Sequence, residues 1–521
     1  MTTEMLSVTI DGVPVQVAKG TMVIEAAKQA GVIVPHYCYH PSLPSPAVCR
    51  MCLVEVEKAP KLLPACVTPV AEGQVVHVHS PAAKKGREGV LEFLLINHPL
   101  DCPICDQAGE CELQDFVFQE GRSGSRYDDY PKRYAPVEDF GPDVLYVPNR
   151  CILCTRCVRF MESVTEDAVL EVYERGDRAF IGIDAGHKLD HPWSGNVVDL
   201  CPVGSLISKD FLHKARAWDL DKSASVCPGC TQGCNMTIDT RDSTVVRLRP
   251  RPNLDVNRHF MCDVGRADYR WMNRGDRVEA PLWRDAAGFH ACDWDAAIDR
   301  LGALVQSANG SIVVLAGGRA SCESIGWTML LAGDRPRAAA MKVPLGDEAP
   351  IGSIPGLALR RERAANLEGA RMLGVSSDWS AAIGALNGAA LAILLDVELD
   401  DAEVAALQGA ASVVQFASVP DSRMHGVDLV LPIATMAEEQ GVFVNRDRRA
   451  QRYLPARPAP GMARSAWWVA SQGWARAGTD RPAPGTASEA FAMLEPFAGI
   501  TYRDLGLTGR IVGTTNAGAP R

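Results

Sequence analysis

The sequence predicts a multidomain protein of mixed class, α+β in its first half and α/β in its second, and three observations lead to this prediction. The chain has 521 residues, which is enough for several domains. All but two of its 17 cysteines lie within residues 38–262, at spacings that are typical of metal ligands. From about residue 276 onward, short apolar runs alternate with alanine-rich stretches, as in a sheet covered by helices.

Composition and charge narrow the class of protein. A hydrophobic content of 47% and a charged content of 22% are those of an ordinary globular protein. The net charge of −10 argues against a nucleic-acid-binding protein and is explained by solubility. The start, Met1–Glu4, lacks the basic and apolar regions of a signal peptide, and no apolar run reaches the length that spans a bilayer. We therefore expect no transmembrane segment, and contact with a membrane only through partners.

The first 80 residues predict a small β-grasp domain, a fold that hosts plant-type ferredoxin clusters. Alternating apolar residues on both sides of Asp11-Gly12 indicate a hairpin. Thr21 is suited to cap a helix that ends before Gly31. The predicted elements are strands at Ser7–Ile10, Val13–Val17, Leu53–Val56 and Val75–Val78 and a helix at Thr21–Ala30.

Four cysteines of this domain form the first ligand set, with spacing C-x10-C-x2-C-x13-C: Cys38, Cys49, Cys52 and Cys66. Four thiolates in a small domain with little core are typical of a [2Fe–2S] centre, and a zinc site is the alternative. The loop is longer than in plant-type ferredoxins, and the segments 37–40 and 49–56 resemble the variant found in respiratory dehydrogenases. Because the cysteine count is complete, we interpret His36 and His40 as surface or packing residues.

A second ligand set follows an amphipathic helix predicted at Ala82–Asn97, with Leu91, Leu94 and Leu95 on one face. Its pattern is H-x3-C-x2-C-x5-C: His98, Cys102, Cys105 and Cys111. Three cysteines leave a [4Fe–4S] cluster one ligand short, and His98 is placed to supply it. A neutral imidazole in place of a thiolate removes a negative charge and should raise the reduction potential.

The third set begins with C-x2-C-x2-C, and a remote cysteine followed by proline completes a [4Fe–4S] site: Cys151, Cys154, Cys157 and Cys201. We expect a βαβ-like excursion between Cys157 and Cys201. Three arginines flank the first ligands: Arg150, Arg156 and Arg159. Their charge could offset that of a cluster or contact a partner, and a solvated surface position is equally open.

The fourth set has the spacing C-x2-C-x3-C-x27-C, after a strand that starts near Asp221-Lys222: Cys227, Cys230, Cys234 and Cys262. It resembles the N-terminal [4Fe–4S] site of molybdopterin enzymes such as formate dehydrogenases, and zinc is again the alternative. Cys292 and Cys322 are left over, and we interpret each as a small buried apolar residue. In all sets the short Cys-x-x-Cys repeats favour metal-bound thiolates in a reducing compartment over a disulfide framework.

No metal pattern remains after residue 276, where the sequence predicts a doubly wound α/β domain with a parallel sheet. The predicted strands are Ser311–Leu315, Ala390–Leu395, Ser412–Ala417 and Val427–Leu431. Gly317-Gly318 is a weak phosphate-loop signal, and neither a G-x-G-x-x-G nor a Walker pattern occurs.

The four ligand sets, in this order and with these spacings, resemble the large iron–sulfur subunit, or G subunit, of bacterial NADH–quinone oxidoreductase, respiratory complex I. The resemblance covers residues 1 to about 275, and residues 436–451 are similar to a family segment near the end of a degenerate molybdopterin-type domain. It implies a [2Fe–2S] cluster in the first set and [4Fe–4S] clusters in the other three, with the fourth off the path from flavin to quinone. Family members usually have a longer C-terminal region, so we expect a shortened α/β domain here, without molybdopterin.

On this resemblance we divide the chain into five domains: a [2Fe–2S] β-grasp domain at 1–80, a His/Cys3-ligated [4Fe–4S] domain at 81–145, a ferredoxin-like [4Fe–4S] domain at 146–218, a molybdopterin-oxidoreductase-type [4Fe–4S] domain at 219–275 and the α/β domain at 276–521.

The resemblance also implies the function: relay of electrons from NADH, through a flavin on a partner subunit, toward quinone. The chain would be a subunit of a translocating oxidoreductase, with no catalytic residue of its own. Its partners would be the flavoprotein subunit with the FMN and NADH site and the downstream iron–sulfur and quinone-site subunits, on the cytoplasmic side of the bacterial inner membrane. The alternatives are a catalytic or diaphorase iron–sulfur subunit of an NAD-linked formate dehydrogenase or hydrogenase, and a zinc-stabilised scaffold. The molybdenum enzyme is weakened because no cysteine follows Cys322.

Overall fold

The protein is described from a computed structural model. The structure describes residues 4–134, 137–333, 336–419, 426–478 and 482–513. Its contacts divide the chain into two units, Met1–Leu220 with Ile351–Pro355, and Asp221–Pro350 with Gly356–Arg521. Within the described ranges, no helix is both long enough and apolar enough to cross a bilayer.

The first unit is built from short strands and helices. Its strands are β1 Met5–Ile10, β2 Val13–Ala18, β3 Leu53–Val56, β4 Leu63–Pro64, β5 Gln74–His77, β6 Glu138–Asp139, β7 Val144–Tyr146, β8 Leu170–Tyr173, β9 Phe180–Ile183 and β10 Leu206–Ser208. Its helices are α1 Val23–Gln29, α2 Pro81–Leu95, α3 Glu112–Glu120, α4 Arg156–Phe160 and α5 Asn196–Leu200, with a π-helical turn at Met161–Thr165.

The first five strands form one sheet in the order β2-β1-β5-β3-β4, in which β1 and β5 are parallel and the other neighbours antiparallel. The alternating apolar residues of the hairpin point to one buried face, where Val8 and Ile10 pack with Val54 and Val76 under α1. The predicted hairpin and β-grasp fold are confirmed.

The predicted N-cap of α1 is wrong by one residue. The helix begins at Val23 with Met22 as its N-cap, and no side chain caps it. Met22 forms a β-bridge with Pro69, which holds it extended. Thr21 instead donates its amide to the carbonyl of Ala18, in the turn that leaves β2. Tertiary pairing has therefore decided where the helix starts.

Helix α2 ends two residues before the predicted Asn97, and Ser80 caps it by accepting a hydrogen bond from the amide of Ala83. Of its leucines only Leu91 is buried, whereas Leu95 is exposed. The helix is fixed instead by a buried ion pair between Arg87 and Glu120 of α3, with Nε and Oε2 at 3.0 Å.

Between the third and fourth ligands of the third set, the βαβ-like prediction is wrong. The segment contains the end of α4, the π-helical turn, an antiparallel hairpin of β8 and β9, and α5. Strands β8 and β9 pair only with each other, so the excursion has no parallel strands for a crossover to join. A separate antiparallel sheet has the order β10-β7-β6. In the chain, β6 and β7 come before the ligands of the third set and β10 comes after them.

The second unit contains the remaining elements. Its strands are β11 Asp221–Val226, β12 Asn235–Arg241, β13 Thr244–Pro250, β14 Leu282–Asp285, β15 Gly288–Ala291, β16 Ile312–Ala316, β17 Ala338–Met341, β18 Ala349–Pro350, β19 Ala358–Leu359, β20 Leu391–Leu395, β21 Val413–Ala417, β22 Leu429–Pro432, β23 Gly441–Val444, β24 Arg449–Tyr453 and β25 Arg510–Ile511. Its helices are α6 Asp263–Ala267, α7 Trp294–Ala308, α8 Cys322–Ala332, α9 Leu367–Met372, α10 Trp379–Ala385, α11 Asp401–Ala406, α12 Ala466–Arg476, α13 Ala487–Ala492 and α14 Tyr502–Leu505.

The main sheet of this unit has the order β15-β14-β22-β21-β20-β16-β17, with the five strands from β22 to β17 parallel. Successive side chains of β16 lie on opposite faces of the sheet and belong to different hydrophobic cores. Val314 packs with α8 and α12, and Val313 packs with residues around α10 and α11. Because both faces are covered, the strands are continuous apolar runs without alternation. The predicted doubly wound α/β domain is confirmed.

Candidate iron–sulfur cluster sites

The first ligand set lies in the loops that flank β3 and β4. Cys38, Cys52 and Cys66 are buried, and Cys49 is partly exposed. Two amides, those of Cys38 and Met51, donate to the Cys49 Sγ over 3.4 and 3.5 Å. Arg50 lies in the bend that directs these amides toward the sulfur, and its backbone is left-handed, with φ at 59°. Successive amides turned toward one point form the concave anion sites seen around iron–sulfur clusters.

The thiols of the first set are also close enough to change one another's pKa. A hydrogen bond with Cys38, together with burial, raises the pKa of Cys49. A hydrogen bond with Cys66 lowers the pKa of Cys52 despite its burial. Cys66 in turn interacts with Cys38, so all four predicted ligands of this set are brought together.

The two histidines near the first set have partners of their own. The Nδ1 of His36 lies 2.7 Å from the carbonyl oxygen of Val34, and its ring packs edge-on against Tyr39. The Nδ1 of His40 accepts a hydrogen bond from the amide of Ser42. These contacts agree with packing roles.

The second set lines one cavity of about 330 Å³, which contains all four predicted ligands: His98, Cys102, Cys105 and Cys111. His98 follows the end of α2, and Cys111 is the N-cap residue of α3. Burial and the nearby Arg150 lower the pKa of His98, which favours the neutral imidazole that can bind a metal. Burial raises the pKa of Cys111 to about 11.

The rim of this cavity is open and apolar. Cys102 is exposed, in contrast to Cys105 and Cys111. Two apolar side chains that line the cavity, Leu95 and Leu100, are also exposed, and Leu100 is 97% exposed. Clustered exposed apolar side chains mark surfaces that bind other molecules.

The third set lines a narrow cavity of about 20 Å³, together with apolar neighbours such as Ile181, and again includes all four predicted ligands: Cys151, Cys154, Cys157 and Cys201. Leu153 and Thr155 have left-handed backbones, at φ 52° and 58°, and the amide of Leu153 donates to the Cys151 Sγ over 3.4 Å. As in the first set, left-handed residues turn a backbone amide toward a cysteine sulfur.

Burial sets the protonation of the third-set thiols. It raises the pKa of Cys151 and Cys201 to about 11 and that of Cys154 to about 12. At neutral pH these groups are thiols when no metal is bound. Because thiolates are the metal-binding form, loading this site must release protons.

The fourth set belongs to the second unit and is formed at the end of β11, the start of β12 and the N-terminus of α6. All four of its cysteines are buried: Cys227, Cys230, Cys234 and Cys262. The amide of Cys227 donates to the carbonyl of Cys234 over 2.8 Å, and the Cys262 Sγ accepts from the amide of Gly265 over 3.4 Å. A Cβ added to Gly265 would lie 2.9 Å from the Cys227 Sγ, so the glycine leaves room for the ligands.

Burial and the neighbouring Cys230 thiol raise the pKa of Cys262 to about 12. The leftover cysteines lie elsewhere. Cys322 is buried at the start of α8, where its Sγ donates to the Asn366 Oδ1 over 3.1 Å, and Cys292 is partly buried.

The solvated-surface alternative for the three arginines is wrong. Arg150, Arg156 and Arg159 are 8%, 4% and 8% exposed. Arg150 donates to Asp101 and to the carbonyl of Gly204, over 3.0 and 3.4 Å. The sequence placed three arginines next to ligand cysteines. It could not show that they would be buried, because their hydrogen-bond acceptors lie in other segments of the chain.

The other two arginines connect the third set with its neighbours. Arg156 forms a forked ion pair with Glu112, next to Cys111, and donates to the carbonyl of Leu200, next to Cys201. Arg159 donates to the carbonyls of both Cys38 and Cys154, over 2.6 and 3.1 Å. The third set thus contacts the ligand segments of both the first and the second set. The second set lies between the other two in the chain.

A glycine of the third set also approaches the second set directly. A Cβ added to Gly204 would lie 2.1 Å from the Cys105 Sγ. In the same region the amide of Glu112 donates to the carbonyl of Pro202 over 3.0 Å. Gly204 was not among the predicted functional residues, and its position three residues after the ligand Cys201 was its only signal.

The donor sets fit iron–sulfur clusters. Three sets consist of four soft thiolates, and the second has three thiolates and one imidazole; backbone amides near the ligands can donate to sulfur. In the described part of the chain, no three His, Cys, Asp or Glu side chains are placed to hold a single metal ion.

Family models match consecutive parts of the chain. They are the 2Fe-2S iron–sulfur cluster binding domain at residues 3–81, the NADH-ubiquinone oxidoreductase-G iron–sulfur binding region at 87–126, the ferredoxin-like domain of NADH-quinone oxidoreductase subunit 3 at 141–207, the molybdopterin oxidoreductase Fe4S4 domain at 221–274 and molybdopterin oxidoreductase at 360–472. Ferredoxin-like iron–sulfur domains are thus followed by a molybdopterin-oxidoreductase-like C-terminal domain.

Two curated relatives agree with these matches. The G subunit of NADH-quinone oxidoreductase from Rickettsia bellii is 40% identical over 62% of this chain and 47% of its own length. The NADH-ubiquinone oxidoreductase 75 kDa subunit of Reclinomonas americana is 41% identical over 62% of this chain and 46% of its own length. Among solved structures, an NAD+-reducing [NiFe]-hydrogenase is 29% identical over 40% of this chain and 90% of its own, with a TM-score of 0.37.

The alignment spans about half the length of the curated relatives that the chain matches. Over that shared part, the order of the family models and the identity of about 40% agree. Over this shared part the chain is similar to the G subunit of NADH-quinone oxidoreductase, and models of [2Fe–2S] and [4Fe–4S] domains match it.

Proposed function

We propose that this chain is an iron–sulfur electron-transfer subunit of an NADH:quinone oxidoreductase, complex I, which relays electrons from NADH toward quinone through a flavin on a partner subunit. One observation carries the proposal: in the first unit, three ligand sets are joined through buried side chains that hydrogen-bond the ligand segments to one another. Sites that share such contacts are close enough for single electrons to pass between them without any diffusing carrier.

The proposal assigns a [2Fe–2S] cluster to the first set and a [4Fe–4S] cluster to each of the other three, with the ligands predicted from the sequence. Bound clusters would supply one-electron redox chemistry. The protein's own residues bury the ligands, donate hydrogen bonds to their sulfurs and place charge beside them, and these are the features that tune a cluster's potential. We retain the five-domain division as part of this proposal, with the fourth site off the main path and no molybdopterin in the α/β domain.

The proposed partners are the flavoprotein subunit that holds FMN and the NADH site, and the downstream iron–sulfur and quinone-site subunits. The exposed apolar rim of the second site, with Leu95 and Leu100, supports a partner contact there, because a partner that covers this rim would also shield the ligands from water. The chain would lie on the cytoplasmic side of the bacterial inner membrane, and any ion translocation would belong to the assembly.

Metal analysis and EPR of the chain, purified without oxygen, test this proposal. We expect about fourteen iron atoms and matching acid-labile sulfide per chain, from one two-iron and three four-iron centres. One [2Fe–2S] and several [4Fe–4S] signals should appear on reduction. Molybdenum or tungsten near one per chain would instead favour the formate dehydrogenase alternative. A colourless protein with zinc and no sulfide would refute an electron-transfer role.

A further inference from the structure

Arg159 differs from the other buried arginines near the third set in the acceptors of its guanidinium group. The guanidinium of Arg150 is paired with Asp101, and that of Arg156 with Glu112. Arg159 donates only to uncharged acceptors: the carbonyls of Pro44, Cys38 and Cys154 and the hydroxyl of Thr155. Among the residues that the structure describes, no carboxylate forms an ion pair with it.

A buried guanidinium without a counter-ion is unfavourable, because burial removes water that would otherwise stabilise the charge. Arginine cannot escape this by losing its proton, since its pKa is too high. The position of Arg159 therefore requires a nearby negative charge of another kind. Both carbonyls that share its Nη2 belong to ligand cysteines, Cys38 of the first set and Cys154 of the third.

The two flanking sites can supply that charge. A cluster held by four thiolates is anionic and becomes more so when it gains an electron. A fixed cation between two such sites stabilises the reduced state of each, and its hydrogen bonds hold the two ligand loops at a constant separation. Arg156, on the same short helix, makes no hydrogen bond to the first set: its Nη1 and Nη2 donate to Glu112 and to the carbonyl of Leu200.

We propose, on the basis of the function proposed above, that Arg159 is a positioning residue for electron exchange between the first and third clusters. Its side chain joins the carbonyls of Cys38 and Cys154 and acts as the shared counter-ion of both sites. In the exchange one electron leaves one cluster and enters the other. No covalent bond forms or breaks, and Arg159 keeps its protons throughout.

The test compares Arg159→Met, Arg159→Lys and Arg156→Met with the unaltered chain. Methionine fills similar space without charge, and lysine restores the charge. Each protein is purified without oxygen, its iron and sulfide are measured, and its clusters are titrated by EPR. For Arg159→Met we expect the one-electron reduction equilibrium of both the first and the third cluster to become at least tenfold less favourable, which corresponds to about 59 mV. Arg159→Lys should recover most of this shift.

Arg156→Met is the matched control, because Arg156 is equally buried on the same helix and is bonded to the second and third sets alone. It should leave the potential of the first cluster unchanged. Arg159→Met with full cluster content and unchanged potentials would overturn the proposal.

Loss of assembly is also informative. If Arg159→Met loses the first or third cluster, retention of both in Arg159→Lys supports the cationic link, and loss in both variants overturns it in favour of a purely steric role. If the unaltered chain itself carries no clusters, it is the function proposed above that fails.

Discussion

Replacement of Gly204 by alanine should remove the second cluster without unfolding the protein. The added Cβ would lie 2.1 Å from the Cys105 Sγ and 3.1 Å from the Cβ of Gln107. Ordinary contact begins at 3.4 Å, so the sulfur and the Gly204 backbone must separate by at least about 1.3 Å. Gly204 does not have a positive φ, so alanine can adopt its backbone conformation and the clash is the whole effect.

The cost of this clash can be estimated. Overpacking of a buried site typically costs about 1–3 kcal/mol. That is a fraction of the stability of a typical folded domain, so the chain should still fold. A ligand displaced by more than about 0.5 Å, however, is outside the tolerance of a preorganised metal site. We therefore expect loss of the four iron atoms of the second site, or a three-iron remnant held by the remaining ligands.

The assay is iron and sulfide content together with EPR of the reduced protein, in parallel with urea unfolding. Gly89→Ala is the control, because Gly89 lies within α2 and its added Cβ has nothing within 4 Å. That change should leave all clusters in place and raise helix stability by about 0.5–1 kcal/mol. A Gly204→Ala protein with an unaltered second-site spectrum would refute the reasoning.

Three further predictions follow from other sites. His98→Cys should keep a cluster in the second site but lower its reduction potential, because a thiolate adds negative charge where an imidazole had none; EPR titration measures this. Glu120→Gln should lower the free energy of unfolding by about 3–5 kcal/mol in urea titrations, because it leaves Arg87 buried without its charged partner. Glu323 has its pKa raised from 4.5 to about 7 by burial. Between those values the folded state keeps a proton that the unfolded state releases. The contribution of Glu323 to stability should therefore fall by on the order of 3 kcal/mol as the pH rises from 4.5 to 7, and that contribution should then level off. Glu323→Gln should flatten that slope in urea unfolding at about pH 5 and about pH 8.

Each of these has a control and a contrary result. An unchanged spectrum and potential in His98→Cys would show that His98 is not a ligand. For the ion pair, Glu4→Gln removes an exposed partner of Lys19 and should change stability little, so equal effects would contradict the argument from burial. For Glu323, the variant and the unaltered chain with parallel pH profiles would show that this group does not titrate in the window.

Much of the fold could be predicted because local patterns and tertiary structure agree. Apolar alternation around Asp11-Gly12 indicated the first hairpin, and continuous apolar runs indicated the parallel strands β16, β20, β21 and β22. The start of α1 could not be predicted, because the bridge between Met22 and Pro69 joins segments far apart in the chain. The hairpin of β8 and β9 was also missed, since short strands that pair only with each other leave little signal in the sequence.

The sequence by itself indicated which side chains are candidate metal ligands. Ligand chemistry depends on residue type and on spacing within short loops, and both can be read directly from a pattern such as Cys151 to Cys157. Only the tertiary structure decided how the sites are connected. It placed the third set against both earlier sets and buried Arg159 between Cys38 and Cys154. The physical reason is that a hydrogen bond between segments far apart in the chain depends on how those whole segments pack, and no local pattern encodes that.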